Sequence, residues 1–122
     1  NCALGLEAPE EVVRVHGDAG AVTDALRNLM ENAVGHAPPD TEVTVTVRPD
    51  GTVSVADRGP GVRPEDRSHV FERFWRGSGE RHAGAGLGLA IVAEIARAHG
   101  GRVAVGDAAG GGAVFTLEFR RA

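Results

Sequence analysis

The sequence contains no lysine, and all 13 of its basic residues are arginine. A Walker-type phosphate loop needs a lysine beside its glycines, so this absence excludes a P-loop NTPase. Any cationic contact to a phosphate must therefore come from an arginine, whose planar guanidinium forms paired hydrogen bonds. Cys2 is the only cysteine, so no disulfide can form within the chain.

Long apolar runs are absent as well. Glu94 interrupts the best apolar stretch well short of the roughly 20 residues that a membrane-spanning helix requires, and no signal peptide is recognisable. The net charge of −4 argues against a nucleic-acid partner held by broad electrostatic attraction. A chain of 122 residues, 42% of them hydrophobic, fits one globular domain.

The apolar periodicity predicts alternating strands and helices. After ten lead-in residues, Val12, Val13 and Val15 predict a short strand. Asp18 is a candidate N-cap for a helix that reaches about Gly35. The other predicted elements are a hairpin at residues 43–55, a second helix behind residue 88, and two closing strands at residues 102–106 and 113–119. This order predicts an α+β fold with helices on one face of a mixed sheet.

Glycines at positions 84, 86 and 88 lead directly into the second predicted helix. They allow a tight backbone with exposed N–H groups, and the helix start adds partial positive charge, which suits a phosphate chain. A dinucleotide fingerprint is excluded because Leu89 stands where its third glycine or alanine belongs. The same letters also suit a helix entered through a flexible loop with nothing bound.

Asparagine and aspartate residues mark two more candidate sites. Asn28 and Asn32 are four apart in the first predicted helix and share a face, where an amide oxygen could ligate phosphate-bound Mg²⁺. Asp57 ends a strand in a D-x-G-x-G turn with Gly59 and Gly61, where a carboxylate could accept a hydrogen bond from the amine of adenine. The alternatives are boundary asparagines satisfied by water or backbone, and a turn capped by its own side chain.

Arginines frame a small, polar segment that is predicted to be a mobile loop. Arg73, Arg76 and Arg81 flank or occupy it, and could fold over a phosphate tail with paired hydrogen bonds. Solvation of a surface loop is the alternative explanation. The five histidines show no metal-ligand spacing.

Four motifs occur together in one order: N-L-M-E-N-A at 28–33, D-R-G-P-G at 57–61, F-E-R-F at 71–74 and G-A-G-L-G-L at 84–89. They resemble the N box (28–36), first glycine box, F box and second glycine box of sensor histidine kinases, over residues 12 to 119. The resemblance implies a Bergerat-type two-layer α/β sandwich with a mostly antiparallel sheet, as in DNA gyrase and MutL. It also implies a lid at 76–83, a lead-in from an upstream helical domain at 1–10, and an ATP-binding catalytic domain at 11–122.

The resemblance implies a role for each matching position. Asp57 would bind the adenine amino group, with Gly59 and Gly61 beside the base, while Asn32 would hold Mg²⁺ and Asn28 would assist at the phosphates. The remaining implied contacts to ATP are the N-box residue His36, the cradle of Gly84, Gly86, Leu87, Gly88 and Leu89, and Arg76 near the γ-phosphate or the partner domain.

Two departures from the family pattern stand out. Gly35 replaces the usual lysine three residues after the second asparagine, so one phosphate-facing cation is missing. This puts phosphoryl-transfer efficiency in doubt unless an arginine substitutes. Ala83 and Ala85 replace a glycine and a hydroxyl residue of the second glycine box. Backbone N–H groups survive both changes, and nucleotide binding is expected to survive with them.

The implied reaction is phosphoryl transfer rather than hydrolysis. Relatives that hydrolyse ATP carry a glutamate base where this chain has Asn28, and an amide cannot take a proton from water. Glu31 points roughly 100° away from Asn32 around the helix. The resemblance therefore implies a protein-histidine kinase domain that presents the γ-phosphate of Mg·ATP to a histidine on a separate dimerisation domain, and that is weak or inactive without it.

The expected partners are that upstream phosphoacceptor domain and a response regulator, in a full-length protein that forms a homodimer. This domain is expected to face the cytoplasm as part of a membrane-anchored protein, with no direct contact to membrane or nucleic acid. Two alternatives stay open: a serine kinase of the anti-sigma-factor type, and a nucleotide-sensing module without catalysis.

Overall fold

The computed structural model describes residues 3–73 and 88–120. The strands are β1 (Ala3–Glu7), β2 (Glu42–Val47), β3 (Thr52–Ala56), β4 (Arg102–Asp107) and β5 (Ala113–Glu118), and the helices are α1 (Ala19–His36) and α2 (Gly88–Ala98). The sheet has the order β1-β2-β3-β5-β4, in which only the β1–β2 pair is parallel. The predicted mixed, mostly antiparallel α+β sheet is confirmed.

Both helices pack on one face of this sheet. The helices contribute apolar residues at three- and four-residue spacing, and the strands contribute alternate residues, because these are the periods at which side chains share a face. The core residues with almost no exposed surface include Ala25, Leu29 and Ala33 of α1, Val92 and Ala96 of α2, and Val43, Val55, Phe115 and Leu117 of the sheet. The core of the two-layer sandwich thus lies between the helices and one face of the sheet.

Helix α1 begins and ends where its sequence signals predict. The carboxylate of Asp18 caps it by accepting a hydrogen bond from the N–H of Ala21 at 2.8 Å. The backbone N–H of Asp18 donates to Nε2 of His99, just beyond the end of α2, at 3.1 Å. His36 is the last helical residue before a proline pair, so the predicted end near Gly35 is correct to within one residue.

The first strand is not where the valine cluster predicted it. Val15 makes only an isolated bridge, in which His16 N–H donates to the Arg120 carbonyl at 2.8 Å, while residues 3–7 of the predicted lead-in pair with β2. The missed signal is the alternation of Leu4 and Leu6 around Gly5. Those leucines are 61% and 70% exposed, so this strand does not contribute large apolar side chains to the core as a half-buried strand usually does. An upstream helical domain stays a prediction.

The hairpin β2–β3 delivers the first candidate site residue. It has Val45 opposite Val55, and its turn places Gly51 at a φ of 92°. Hydrogen bonds from Thr52 to the Asp50 carboxylate hold the pKa of Asp50 below its ordinary value. Asp57 follows directly after β3, as the sequence predicted.

The segment after this strand packs through an aromatic contact. Phe71, the first residue of the F box, meets Phe115 of β5 edge to face, with ring centroids 6.1 Å apart. Local packing is therefore confirmed for Phe71. Phe74 lies outside the described residues. Neither of the two helices in the described part of the chain is suited by length and hydropathy to cross a bilayer.

Candidate functional site

Helix α1 carries Asn28, Asn32 and His36 on one face at four-residue spacing. Eight residues of α-helix correspond to a rise of roughly 12 Å. The glycine that starts α2 lies at the Asn28 end of this row, and the loop after β3 lies at the His36 end. The row, the loop and the start of α2 are therefore parts of one site, and the predicted residues that they carry are brought together.

Asp57 is the most constrained group of this site. Only 2% of its surface is exposed, and its Oδ1 accepts hydrogen bonds from the N–H groups of Gly59 at 2.8 Å and Ala113 at 3.3 Å. Its own N–H donates to the Ala113 carbonyl at 2.9 Å. Within residues 3–73 and 88–120, no hydrogen bond reaches Oδ2 and no cation pairs with the carboxylate. An oxygen of a nearly buried carboxylate that no protein donor occupies is suited to accept a hydrogen bond from a ligand.

Gly59 and Gly112 allow the backbone to close around this carboxylate. A Cβ on Gly59 would stand 2.6 Å from the carbonyl oxygen of His36, so glycine is needed for the loop to touch the end of α1. Gly112 has a φ of 96°, and a Cβ there would collide with the Asp57 carbonyl. Gly61, with a φ of 80°, lies against the Gly112 carbonyl. The start of the loop is thus held between the end of α1 and the backbone of Gly112.

At the other end of the row, the side chain of Asn28 faces the first residue of α2. Its Nδ2 donates to the Asp24 carbonyl at 2.9 Å, and a Cβ on Gly88 would lie 3.2 Å from its Oδ1. Gly88 and Leu89 occupy the first turn of α2, where backbone N–H groups lack intrahelical acceptors and the helix dipole is positive. This end of the site offers donors and positive potential.

Between the two ends, Asn32 has a buried Nδ2 for which residues 3–73 and 88–120 supply no hydrogen-bond partner. Such an atom costs about 1–3 kcal/mol if it stays unsatisfied. The backbone carbonyl of Asn32 accepts a hydrogen bond from Nδ1 of His36 at 2.9 Å, so that ring nitrogen carries the proton, and the side-chain amide of Asn32 takes no part in this bond. The amide can rotate by half a turn and exchange its oxygen and nitrogen, so it can present either a ligand atom or a donor. The described residues contain no group of three or more His, Cys, Asp or Glu side chains that could hold a metal ion.

Sequence reasoning missed part of this site and left another part untested. It did not foresee that the backbone of Gly112 and Ala113 holds Asp57, although the run of glycines at 110–112 marks an unusual turn. The predicted residues that lie outside the described part of the chain are Arg76, Gly84, Gly86 and Leu87, together with the lid at 76–83.

The sheet has both helices on one face, and the row of polar side chains on α1 runs towards the loop of the buried Asp57. This arrangement defines a Bergerat-type α/β sandwich. Residues 17–122 match the family of histidine kinase-, DNA gyrase B-, and HSP90-like ATPases. The chain belongs to this family, as its motifs predicted.

Its relatives are sensor kinases. The sensor-like histidine kinase SenX3 of Mycobacterium tuberculosis is 42% identical over 117 residues, which cover 91% of this chain and 28% of SenX3. The solved structure of a mycobacterial sensor histidine kinase, MprB, is 31% identical with a TM-score of 0.82, covering 99% of this chain and 84% of that one. Full-length ShkA in complex with AMPPNP is 35% identical with a TM-score of 0.77, covering 99% and 26%. The chain thus spans well under a third of SenX3.

Proposed function

We propose that this domain binds ATP with Mg²⁺ and presents the γ-phosphate to a histidine on a separate dimerisation domain, the autophosphorylation step of two-component signalling. The observation that carries the proposal is the buried Asp57 carboxylate, whose Oδ2 accepts no hydrogen bond from the described residues. Family membership and the AMPPNP complex of ShkA support the choice of nucleotide.

Asp57 selects the base in this proposal. An ionised carboxylate only accepts hydrogen bonds, so its Oδ2 suits the 6-amino group of adenine and rejects the 6-oxo group of guanine. Gly59 closes the loop against the end of α1 beside this carboxylate. The base therefore lies at the His36 end of the row, with the sugar and phosphates running towards Asn28.

Asn32 and Asn28 serve the phosphate end. The buried Nδ2 of Asn32 has no partner among the described residues, so this amide is available to a metal-bound phosphate. A rotated amide supplies a neutral oxygen ligand of the kind that Mg²⁺ accepts alongside phosphate oxygens. When bound, Mg²⁺ neutralises charge on the phosphates. The N–H groups at Gly88 and Leu89 would receive phosphate oxygens, continuing the cradle proposed for Gly84, Gly86 and Leu87.

An external nucleophile fits this site better than water does. Asn28 is an amide whose Nδ2 is already bonded to its own helix, and Glu31, the nearest carboxylate in sequence, is exposed on another face of α1. Neither can act as a base towards a water at the γ-phosphate. Arg76 is proposed to act at the γ-phosphate or at the partner domain.

The nucleophile and the partners belong to the longer protein. We place this domain downstream of a helical phosphoacceptor domain in a homodimer that signals to a response regulator, with the domain on the cytoplasmic side of a membrane-anchored protein. The sensor-kinase names of the relatives favour this function over a serine kinase of the anti-sigma-factor type.

Calorimetric titration of the 122-residue chain tests the nucleotide step. We expect heat of binding for ATP with Mg²⁺, and weaker binding for ATP with EDTA or for GTP with Mg²⁺. An added helical domain carrying its histidine should then become labelled from [γ-³²P]ATP only when both proteins are present. No heat from a sample that circular dichroism shows to be folded would contradict the proposal.

A further inference from the structure

Arg67 lies outside the four motifs but connects two segments of the proposed nucleotide site. It lies just after a single 3-10 turn, Pro64–Asp66. Its Nε donates to the carbonyl of Val62 at 3.2 Å, and its Nη2 donates to Oδ1 of Asp107, at the end of β4, at 2.7 Å. The guanidinium therefore ties the exit of the 57–62 loop to the strand that enters the β4–β5 turn (residues 108–112). We call these contacts the Arg67 bridge.

Arg58 lies near Gly110, and the hydrogen bonds between Ala113 and Asp57 hold the β4–β5 turn to the start of this loop, but the exit of the loop borders a cleft. This cleft of about 340 Å³ separates the exit of the loop from the β4–β5 turn, with Gly61 and Val62 on one wall and Gly111 and Gly112 on the other. Among the described residues, the turn contributes only glycines to this cleft, so no side chain of the turn packs against Val62 across it. The Arg67 bridge spans the same cleft, since Arg67 and Asp107 both line it.

The wall formed by the turn is also the part that holds Asp57. Ala113, the residue after Gly112, exchanges hydrogen bonds with Asp57 through both its N–H and its carbonyl. A change in the spacing between loop and turn therefore changes the direction of the Asp57 carboxylate. Loop residues Gly59 and Gly61, which would border the base, move with it.

We propose that Arg67 is a positioning residue that sets the adenine end of the nucleotide site through Val62 and Asp107. The inference rests on the proposed nucleotide binding and adds a determinant of base selectivity. A site that is ordered before its ligand arrives loses less entropy on binding, so the bridge raises affinity without touching ATP.

The expected size of the effect is moderate. The side chain of Asp107 is 77% exposed, so the ion pair alone contributes little. The hydrogen bond to the Val62 carbonyl comes from a charged donor whose side chain is only 30% exposed, and such bonds contribute more. Losing both should weaken ATP binding about threefold to tenfold.

The test compares Arg67→Met with Arg63→Met. Arg63 lies in the same segment and pairs with Glu65 and Asp66, but none of its hydrogen bonds reaches the loop carbonyls or β4 in the described residues. Calorimetry with ATP and with inosine triphosphate, which lacks the 6-amino group, gives the Kd of each nucleotide for each variant. Arg67→Met should weaken ATP about threefold to tenfold and inosine triphosphate less, lowering selectivity, while Arg63→Met should match the parent.

A second variant separates positioning from stability. Asp107→Asn removes the charge at an exposed position, so the fold should survive even where Arg67→Met unfolds, and it should shift selectivity in the same direction by a smaller factor. Equal selectivity in the parent, Arg67→Met and Asp107→Asn would overturn the inference, even if Arg67→Met melts earlier. A parent that binds no ATP would instead contradict the proposed function itself.

Discussion

The two ends of the row on α1 are built by different kinds of contact. At the His36 end, Asp57 is held by main-chain groups of its own loop and of Ala113, so the carboxylate is oriented before any ligand arrives. Toward the other end, the contacts within the described part of the chain bond the Asn28 side chain to its own helix and leave the buried amide nitrogen of Asn32 without a partner. The protein alone orients the base end and leaves Oδ2 of Asp57 for a ligand, whereas at the phosphate end the described residues leave the amide nitrogen of Asn32 without a partner.

The largest loss of ATP affinity is expected from a change at the base end, where Asp57 lies. Asp57→Asn keeps an oxygen that can accept from Gly59 and Ala113, but it places an NH₂ group where Oδ2 would meet the adenine amine. Two donors then face each other, and ATP binding should weaken by at least about a hundredfold, because a site built for one hydrogen-bonding pattern rejects the opposite one. Calorimetry with Mg·ATP measures the change.

Thermal unfolding provides the control for Asp57→Asn. Because the two hydrogen bonds to Oδ1 are retained, the melting temperature should stay close to that of the parent. Mg·ATP binding within threefold of the parent's would mean that Asp57 does not read the base. The contrast between the two ends would then have no functional meaning.

At the phosphate end, Asn32→Leu should raise stability and lower affinity for Mg·ATP. Replacing a buried, unsatisfied amide by an apolar group of similar size should raise the unfolding free energy of the nucleotide-free domain by about 1 kcal/mol. The same change removes the proposed Mg²⁺ ligand, so affinity for Mg·ATP should fall roughly tenfold to a hundredfold. Urea unfolding and calorimetry measure the two quantities on one sample.

Asn32→Ser supplies the comparison for that pair of measurements, because it keeps a small oxygen donor and acceptor at the same place. It should lose less affinity and gain no stability. A leucine variant that is less stable than the parent and yet binds Mg·ATP normally would show that Asn32 is a structural residue. The protein alone would then satisfy the Asn32 side chain, as it orients Asp57 at the base end.

The sequence predicts these two ends unequally. Asn28 and Asn32 are placed by helical periodicity alone, so their shared face could be predicted from spacing. Asp57 could be predicted as the residue that ends a strand. Ala113, which orients its carboxylate, is 56 residues away and acts through its backbone N–H, a group that almost every residue type has, so the sequence does not single it out. Strand β1 was missed for a related reason: Leu4 and Leu6 are largely exposed at the sheet edge, so pairing rather than burial makes them a strand.

Gly59→Ala should affect both the fold and the site. Its new Cβ would stand 2.6 Å from the His36 carbonyl oxygen, so either the loop or the end of α1 must move. We expect the unfolding free energy to fall by about 1–3 kcal/mol, as for other overpacked positions, with a several-fold loss of ATP affinity. Gly106→Ala is the matched control, because a Cβ there meets nothing within 4 Å, and it should be neutral or slightly stabilising. Equal melting curves for the two variants would contradict the close contact of loop and helix.

The smallest expected effect tests the missing cation. Gly35 is exposed in the last turn of α1, three residues after Asn32. Gly35→Lys should stabilise the helix by about 0.5–1 kcal/mol, because lysine has the higher helix propensity and its charge suits the carboxyl end of a helix. If the side chain also reaches the phosphate tail, Mg·ATP should bind about twofold to fivefold more tightly at low salt, and the gain should shrink at high salt. Val34→Lys adds the same charge at a neighbouring, 48% exposed position that points away from Asn32 around the helix. It controls for net charge, so an equal gain from both variants would mean that the phosphate end attracts ATP through long-range potential and not through a cation at that place.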